Sequence, residues 1–232
     1  MLMGTQRQKA ISWRTIPSDG VIVITGHRGE GKSALAWWLA ETMKAKTKKK
    51  IAALGIPGPA QKAMPKRITH VDTVEEISNL KPHIVVVDEA SIVANARTAM
   101  KSNNQMWLQL IAVCRHKGHL LIFINQHNRQ LDIQILMDAD YVMMKAPTLL
   151  HLKFCRPEFR EELQQAYDLF NEMSPAMTKK RVYVVDYHSG NKKMLRAEMP
   201  KWWNDKVSKA YSTVILGNGS EEALKKAFTL SA

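Results

Sequence analysis

Val21-Ile-Val-Ile-Thr-Gly-His-Arg-Gly-Glu-Gly-Lys-Ser33 is the stretch whose reading decides the fold. Its first four residues are apolar and β-branched, the mark of a buried strand, and Ala34-Leu-Ala-Trp-Trp-Leu-Ala40 reads as a helix. Between them, Gly26-x-x-x-x-Gly31-Lys32-Ser33 is the Walker A pattern in a strand–loop–helix setting. Glycines let the backbone curl until successive N–H groups point at a phosphate, and the helix adds its positive N-terminal end. The expected cradle is therefore Gly26, His27, Arg28, Gly29, Glu30, Gly31, Lys32 and Ser33. Lys32 is expected on the β- and γ-phosphates, and the Ser33 hydroxyl on Mg²⁺.

Working outward, His83-Ile-Val-Val-Val-Asp-Glu-Ala-Ser91 is an apolar run closed by an acidic pair, with Asp88 placed 56 residues beyond Lys32. Such a run reads as a central parallel strand presenting carboxylates at its C-terminal edge, where open α/β sheets bind ligands. This is the Walker B pattern. Asp88 is expected to hold the Mg²⁺ water shell, and Glu89 to orient and deprotonate an attacking water. The glutamate argues for hydrolysis over transfer to a hydroxyl. Leu120-Leu-Ile-Phe-Ile124 is a third buried strand, ending in Asn125-Gln126-His127-Asn128-Arg129. An amide at the tip of the strand beside the phosphate loop can bond the γ-phosphate or the water. Gln126 is the favoured sensor and Asn125 the second choice.

The 34 Lys+Arg against 21 Asp+Glu give a net charge of +13 and a pI near 9.8. That is the range of a nucleic-acid footprint, although basic proteins also bind acidic membranes. The excess is concentrated. From Lys44 to Arg67 there are eight basic residues and no carboxylate, more than a helix end needs, so phosphate contact is expected there. The 42 residues from Ala90 to Leu131 also lack a carboxylate while carrying Arg97, Lys101, Arg115, Lys117 and Arg129. Within them, Ile92 to Asn104 reads as a polar, mobile loop. Gln105 to His116 reads as an amphipathic helix with Trp107, Leu108, Ile111, Ala112 and Cys114 turned inward.

Elsewhere, Trp13 and Ile16 anchor a polar lead-in, Trp13 as a hydrophobic peg more than a platform for the base. Arg67-Ile-Thr-His70 is a short strand, after which Asp72 caps a helix from Thr73 to Asn79. Leu149 to Phe154 suggests a strand and Pro157 to Met173 a helix. Arg181 to Tyr187 and Lys192 to Ala197 form a β-hairpin. Pro200 opens another helix, and Ser220 the last. The pairs Trp37-Trp38 and Trp202-Trp203 are expected to pack rather than meet a membrane. Two distant cysteines, Cys114 and Cys155, suit buried thiols in a reducing compartment. No apolar run approaches the ~20 residues of a transmembrane helix, and Met1 to Lys9 is too polar for a signal peptide. The expectation is a cytoplasmic protein of the host cell, or a virion-associated one.

Walker A, an Asp-Glu Walker B, a strand ending in Gln126 and then Leu131 to Asp140 before Tyr141-Val-Met-Met-Lys145 resemble the FtsK–HerA superfamily, over about residues 20–150. Among its members the chain most resembles the compact ATPases that pump DNA into the capsids of viruses with an internal membrane. It is also similar to zonular-occludens-toxin-like phage assembly ATPases. The resemblance implies ATP as the nucleotide and a homo-oligomeric ring, usually a hexamer, whose sites are completed by an arginine from the neighbouring subunit. Arg115 is the first candidate for that arginine and Arg129 the second.

The expected fold is a three-layer α/β P-loop NTPase of the ASCE, RecA-like kind, with a C-terminal helical and β-hairpin extension. Residues 1–150 would be the ATPase core and 151–232 an extension packed on it. The leading function is Mg²⁺-dependent ATP hydrolysis coupled to double-stranded DNA movement in viral genome packaging, with a capsid or membrane protein at a portal vertex as partner. Two alternatives stay open: a phage assembly or secretion ATPase of the zonular-occludens-toxin type, and a slow nucleotide-gated nucleic-acid-binding scaffold.

Overall fold

The structure is a computed structural model that describes residues 10–54, 56, 58–88, 103–125 and 136–215. Its strands are β1 (Gly20–Thr25), β2 (Lys50–Leu54), β3 (Ile68–Val71), β4 (His83–Asp88), β5 (Leu120–Ile124), β6 (Tyr141–Met144), β7 (Arg181–Asp186) and β8 (Lys192–Arg196). The helices are α1 (Lys32–Thr47), α2 (Gly58–Ala63), α3 (Val74–Ser78), α4 (Asn103–Lys117), α5 (Leu149–Phe154), α6 (Arg160–Asn171), α7 (Pro175–Thr178) and α8 (Asp205–Ile215).

One sheet runs through the molecule in the order β3-β2-β4-β5-β1-β6-β7-β8. The first six in that order are parallel; β7 and β8 add antiparallel to β6 as the expected hairpin. Parallel strands covered on both faces read as unbroken apolar runs, which is why β1, β4 and β5 are so plain in the sequence. Along β1 the side chains alternate. Ile22 and Ile24 join a core with Leu35, Trp37, Leu39 and Met43 of α1; Val21 and Val23 join one with Leu110, Ile111 and Cys114 of α4 and Leu163 of α6. Each such aliphatic side chain, fully buried, stabilises the fold by roughly 1.5–3 kcal/mol. The result is the expected three-layer arrangement. β5 lies between β1 and β4, so the strand expected to carry the sensor separates the two Walker strands.

Several local expectations change. Leu149–Phe154 is a helix: Thr148 caps it, accepting from His151 N, while the His151 ring turns back to the Thr148 N–H at 3.0 Å. A reciprocal cap of this kind outweighs a short apolar run that finds no strand to pair with. β2 gives no clear signal in the sequence because Ile51-Ala-Ala-Leu54 is short and alanine-rich; burial between β3 and β4 makes it a strand. Thr73, not Asp72, caps α3, its hydroxyl accepting from Glu76 N. In α4 the inward positions are Leu110, Ile111 and Cys114, while Leu108 and Ala112 are exposed. Asn103 and Asn104 are already helical; residues 92–102 lie outside the described residues, as does the helix expected at Ser220. α8 starts at Asp205 rather than Pro200, with Asn204 Oδ1 accepting from Val207 N at 3.1 Å.

The tryptophans pack within the fold. Trp37 is fully buried against Trp202, whose Nε1 donates to Glu41 at 2.9 Å. Trp13 meets Trp38 edge-on and donates to the Arg196 carbonyl at 3.0 Å. Among the described residues no helix is long and apolar enough to cross a membrane.

Candidate nucleotide site

The cradle sits at the C-terminal edge of β1, and it forms because its sequence allows backbone that most residues resist. Gly26, Gly29 and Gly31 have φ of 139°, 85° and 81°, values that strain a residue with a side chain. Gly26 has a second reason to be glycine: a Cβ there would lie 2.6 Å from the Lys145 carbonyl oxygen. Gly31 ends the loop, and its carbonyl accepts from Leu35 N at 3.0 Å, the first turn of α1. No side chain caps this helix start. Its first N–H groups, which have no partner within the helix, are left for a ligand.

Two side-chain contacts assemble the site. Lys32 is buried, and its Nζ donates to the carbonyls of Gly26 at 2.8 Å and His27 at 3.0 Å. Ser33 Oγ donates to Asp88 Oδ2 at 3.4 Å, joining the start of α1 to the tip of β4 across the intervening β5. Asp88 is itself buried. Burial pushes the Lys32 ammonium down to a pKa of about 8, against the opposing pull of Asp88 and Glu30 and with some help from Arg28. His27, Arg28, Gly29 and Gly31 are exposed along the lip of the loop, with open space where a Cβ would stand at Gly29 and Gly31.

Behind the loop stands a group the motifs do not include. Lys145 follows β6 and is buried, its Nζ donating to the carbonyls of Lys179 at 2.7 Å and Arg181 at 2.8 Å. Burial lowers its pKa to about 8, with Glu30 opposing. Glu30 thus feels both ammoniums, and its buried Oε2 accepts no hydrogen bond among the described residues. The loop is also tied to this wall through His27: its N–H donates to Ala146 O at 3.2 Å, and its ring lies edge-on to that of His151, centroids 5.6 Å apart. A lysine closing an otherwise apolar strand was the one sequence signal for Lys145.

The donor set suits a polyphosphate carried with a hard cation. Mg²⁺ takes one or two protein oxygens and fills its remaining positions with phosphate and water. Ser33 and Asp88 supply such oxygens, and among the described residues no group of three or more His, Cys, Asp or Glu is placed to hold a metal alone.

Of the residues expected at the site, the structure brings together Gly26 through Ser33 and Asp88. Asn125 lies buried at the tip of β5, its N–H donating to Ile24 O at 2.8 Å, directly beside the end of β1. Glu89, Gln126 and Arg129 lie outside the described residues. Arg115 is at the other edge of the sheet, near the end of α4, where it pairs with Asp138 at 3.0 Å. It is not part of this chain's cradle.

A family model supplies the remaining evidence. The ATPase family associated with various cellular activities (AAA) matches residues 22–146, more than half of the chain, from within β1 to just past β6. The chain belongs to this family. It is therefore an ATP-hydrolysing enzyme built on a P-loop domain. Curated proteins yield no match. Among solved structures, the chain is similar to the genome packaging NTPase B204 of Sulfolobus turreted icosahedral virus 2, solved with sulfate: 15% identity, TM-score 0.57, covering 79% of this chain and 98% of that one. It is also similar to the pCW3 conjugation coupling protein TcpA with bound ATPγS: 12% identity, TM-score 0.53, covering 84% of this chain and 65% of that one. At these identities the likeness is one of fold.

Proposed function

We propose that this ATPase is a DNA translocation motor, and that its work is packaging a viral genome into a capsid. The observation that carries the catalytic half is the meeting of Ser33, Lys32 and Asp88 at one cradle. In this reading Gly26 to Ser33 hold the phosphates of ATP, and Lys32 exchanges the carbonyls of Gly26 and His27 for β- and γ-phosphate oxygens. Ser33 and Asp88 hold Mg²⁺, which supplies charge neutralisation on the phosphates. Glu89 deprotonates the attacking water and Gln126 senses the γ-phosphate. Arg115, or failing it Arg129, completes the site of the next subunit in a ring, a hexamer by family analogy.

The nucleic-acid half rests on the net charge of +13 and on fold similarity to a viral packaging NTPase and a conjugation coupling protein. Double-stranded DNA is the substrate in this reading, with a capsid or membrane protein at a portal vertex as partner, in host cytoplasm or virion. Residues 1–150 act as the ATPase core, and 151–232 as an extension packed on it that continues the sheet through β7 and β8. The test is the hydrolysis rate with and without double-stranded DNA, at low and high salt. Strong stimulation that salt abolishes is expected. Robust hydrolysis indifferent to any nucleic acid overturns packaging and turns attention to the membrane-assembly reading.

A further inference from the structure

The strongly basic stretch from Lys44 to Arg67 does not act as one run. Lys46 Nζ donates to the carbonyls of Arg14 and Ile16, and Lys49 Nζ to those of Ser18 and Gly118, both at 2.6 Å. Arg67 pairs with Glu41. These three fasten the lead-in, the loop before β5 and α1 to the sheet. They leave Lys48 and Lys50 exposed on a held backbone, Lys48 at the end of α1 with φ of 64°.

The sheet then collects other lysines beside them. β2 begins at Lys50, which pairs in register with His83 of β4, two residues after Lys81; Ile84 of β4 pairs with Leu120 of β5, three residues after Lys117. Lys66 precedes β3. The starts of the adjacent strands β3, β2, β4 and β5 therefore carry Lys66, Lys48 with Lys50, Lys81, and Lys117, all exposed and none paired with a carboxylate among the described residues. At ordinary strand spacing the rim is about 14 Å wide, with lysine side chains reaching beyond it. It lies one strand length, roughly 20 Å, from the cradle.

The other half of the same edge is acidic, with the exposed Asp19 before β1 and three carboxylates held by hydrogen bonds or ion pairs. Asp138 holds Arg115, Asp140 accepts from Val21 N and contacts His188, and Asp186 accepts from Tyr141 and Ser189. Among the described residues none of them forms an ion pair with those lysines. Nor does an exposed large apolar side chain flank Lys48, Lys50, Lys81 or Lys117 in sequence or register, as a surface that beds into lipid would need.

We propose that this rim is a docking surface for the phosphate backbone of nucleic acid, on the edge of the sheet opposite the nucleotide. It rests on the motor reading in taking nucleic acid as the substrate, and it assigns that contact to strand starts that no motif marks, those of β2, β4 and β5 being the ones tested. The test uses the full chain with Lys48→Asn, Lys50→Gln, Lys81→Gln and Lys117→Gln combined, asparagine being chosen because it tolerates left-handed backbone. Binding to a mixed-sequence DNA duplex is measured across salt concentrations, beside hydrolysis without DNA and binding to phosphatidylserine vesicles. The slope of log affinity against log salt should become shallower by up to about 3.6, or about 0.9 for each phosphate no longer neutralised, with DNA-free hydrolysis unchanged. A quadruple variant with the wild-type affinity and slope overturns the rim and leaves the motor reading standing. A wild-type chain that binds vesicles and no nucleic acid overturns both. Loss of slope in the variant, with wild-type hydrolysis indifferent to DNA, upholds the rim and removes the motor.

Discussion

Lys32, in the cradle, and Lys145, in the wall behind it, begin from the same chemistry. Each is a buried ammonium, each donates to two backbone carbonyls, and burial lowers each to a pKa of about 8. They differ in whose carbonyls they hold. Lys32 bonds its own loop, so a phosphate can replace its acceptors without disturbing another element. Lys145 bonds residues 179 and 181, where the chain enters β7, so its acceptors belong to the architecture. A buried charge is thus functional or structural according to whether its partners can be exchanged.

The largest effect that would sharpen this contrast comes from Lys32→Ala. Hydrolysis should fall by at least about 10²–10³-fold, the scale of one lost donor to developing charge. The melting temperature should move by less than about 4 °C, as for a change near 1 kcal/mol. A Lys32→Ala chain that unfolds would break the comparison. Lys145→Met should do the reverse. Losing the two part-buried bonds to the Lys179 and Arg181 carbonyls costs about 1–3 kcal/mol, a fall in melting temperature of roughly 2–12 °C, while nucleotide affinity in the folded chain stays within threefold. Wild-type stability with lost nucleotide binding would place Lys145 in the cradle instead.

The smallest effect is a proton balance. Both lysines have folded pKa values below the unfolded value of 10.5, so above about pH 8 the unfolded chain binds more protons. Stability of the unliganded chain should therefore rise between pH 8 and 9.5, read by denaturant midpoints. Bound nucleotide brings negative charge to Lys32 and raises its pKa. Binding at pH 8.5 should take up protons, seen as a calorimetric heat that varies with buffer ionisation enthalpy. Lys145→Met should leave that uptake intact and reduce the rise in stability; Lys32→Ala should abolish the uptake.

The same contrast explains what the sequence discloses. The cradle is local: eight consecutive residues and the end of one apolar strand contain its chemistry, so Gly26 to Ser33 and Asp88 are legible in the sequence alone. β1, β4 and β5 are legible because strands buried on both faces keep their interiors apolar and place polar residues only at their ends. Lys145 is not, because its partners arrive through the antiparallel pairing of β6 with β7. The jobs of Lys46 and Lys49 are equally hidden, since the carbonyls they hold come from residues 14–18 and 118. β2 is hidden by its alanines, and α5 by an apolar run whose cap, Thr148 with His151, depends on three-residue spacing rather than hydropathy. Local chemistry reads directly, while contacts made by sheet order do not.

That sheet order also has a consequence during synthesis. β1 is an apolar strand with two parallel neighbours, and these begin only at Leu120 and Tyr141. At translation speeds of about 5–20 residues per second, Val21 to Ile24 wait on the order of 5–20 s for their partners to leave the ribosome. Parallel pairing across such separations is slow to form, and an unpaired apolar strand invites association with other chains. The segment that will hold ATP is therefore made well before the strands that enclose it, and of the described strands β1 waits longest for its neighbours.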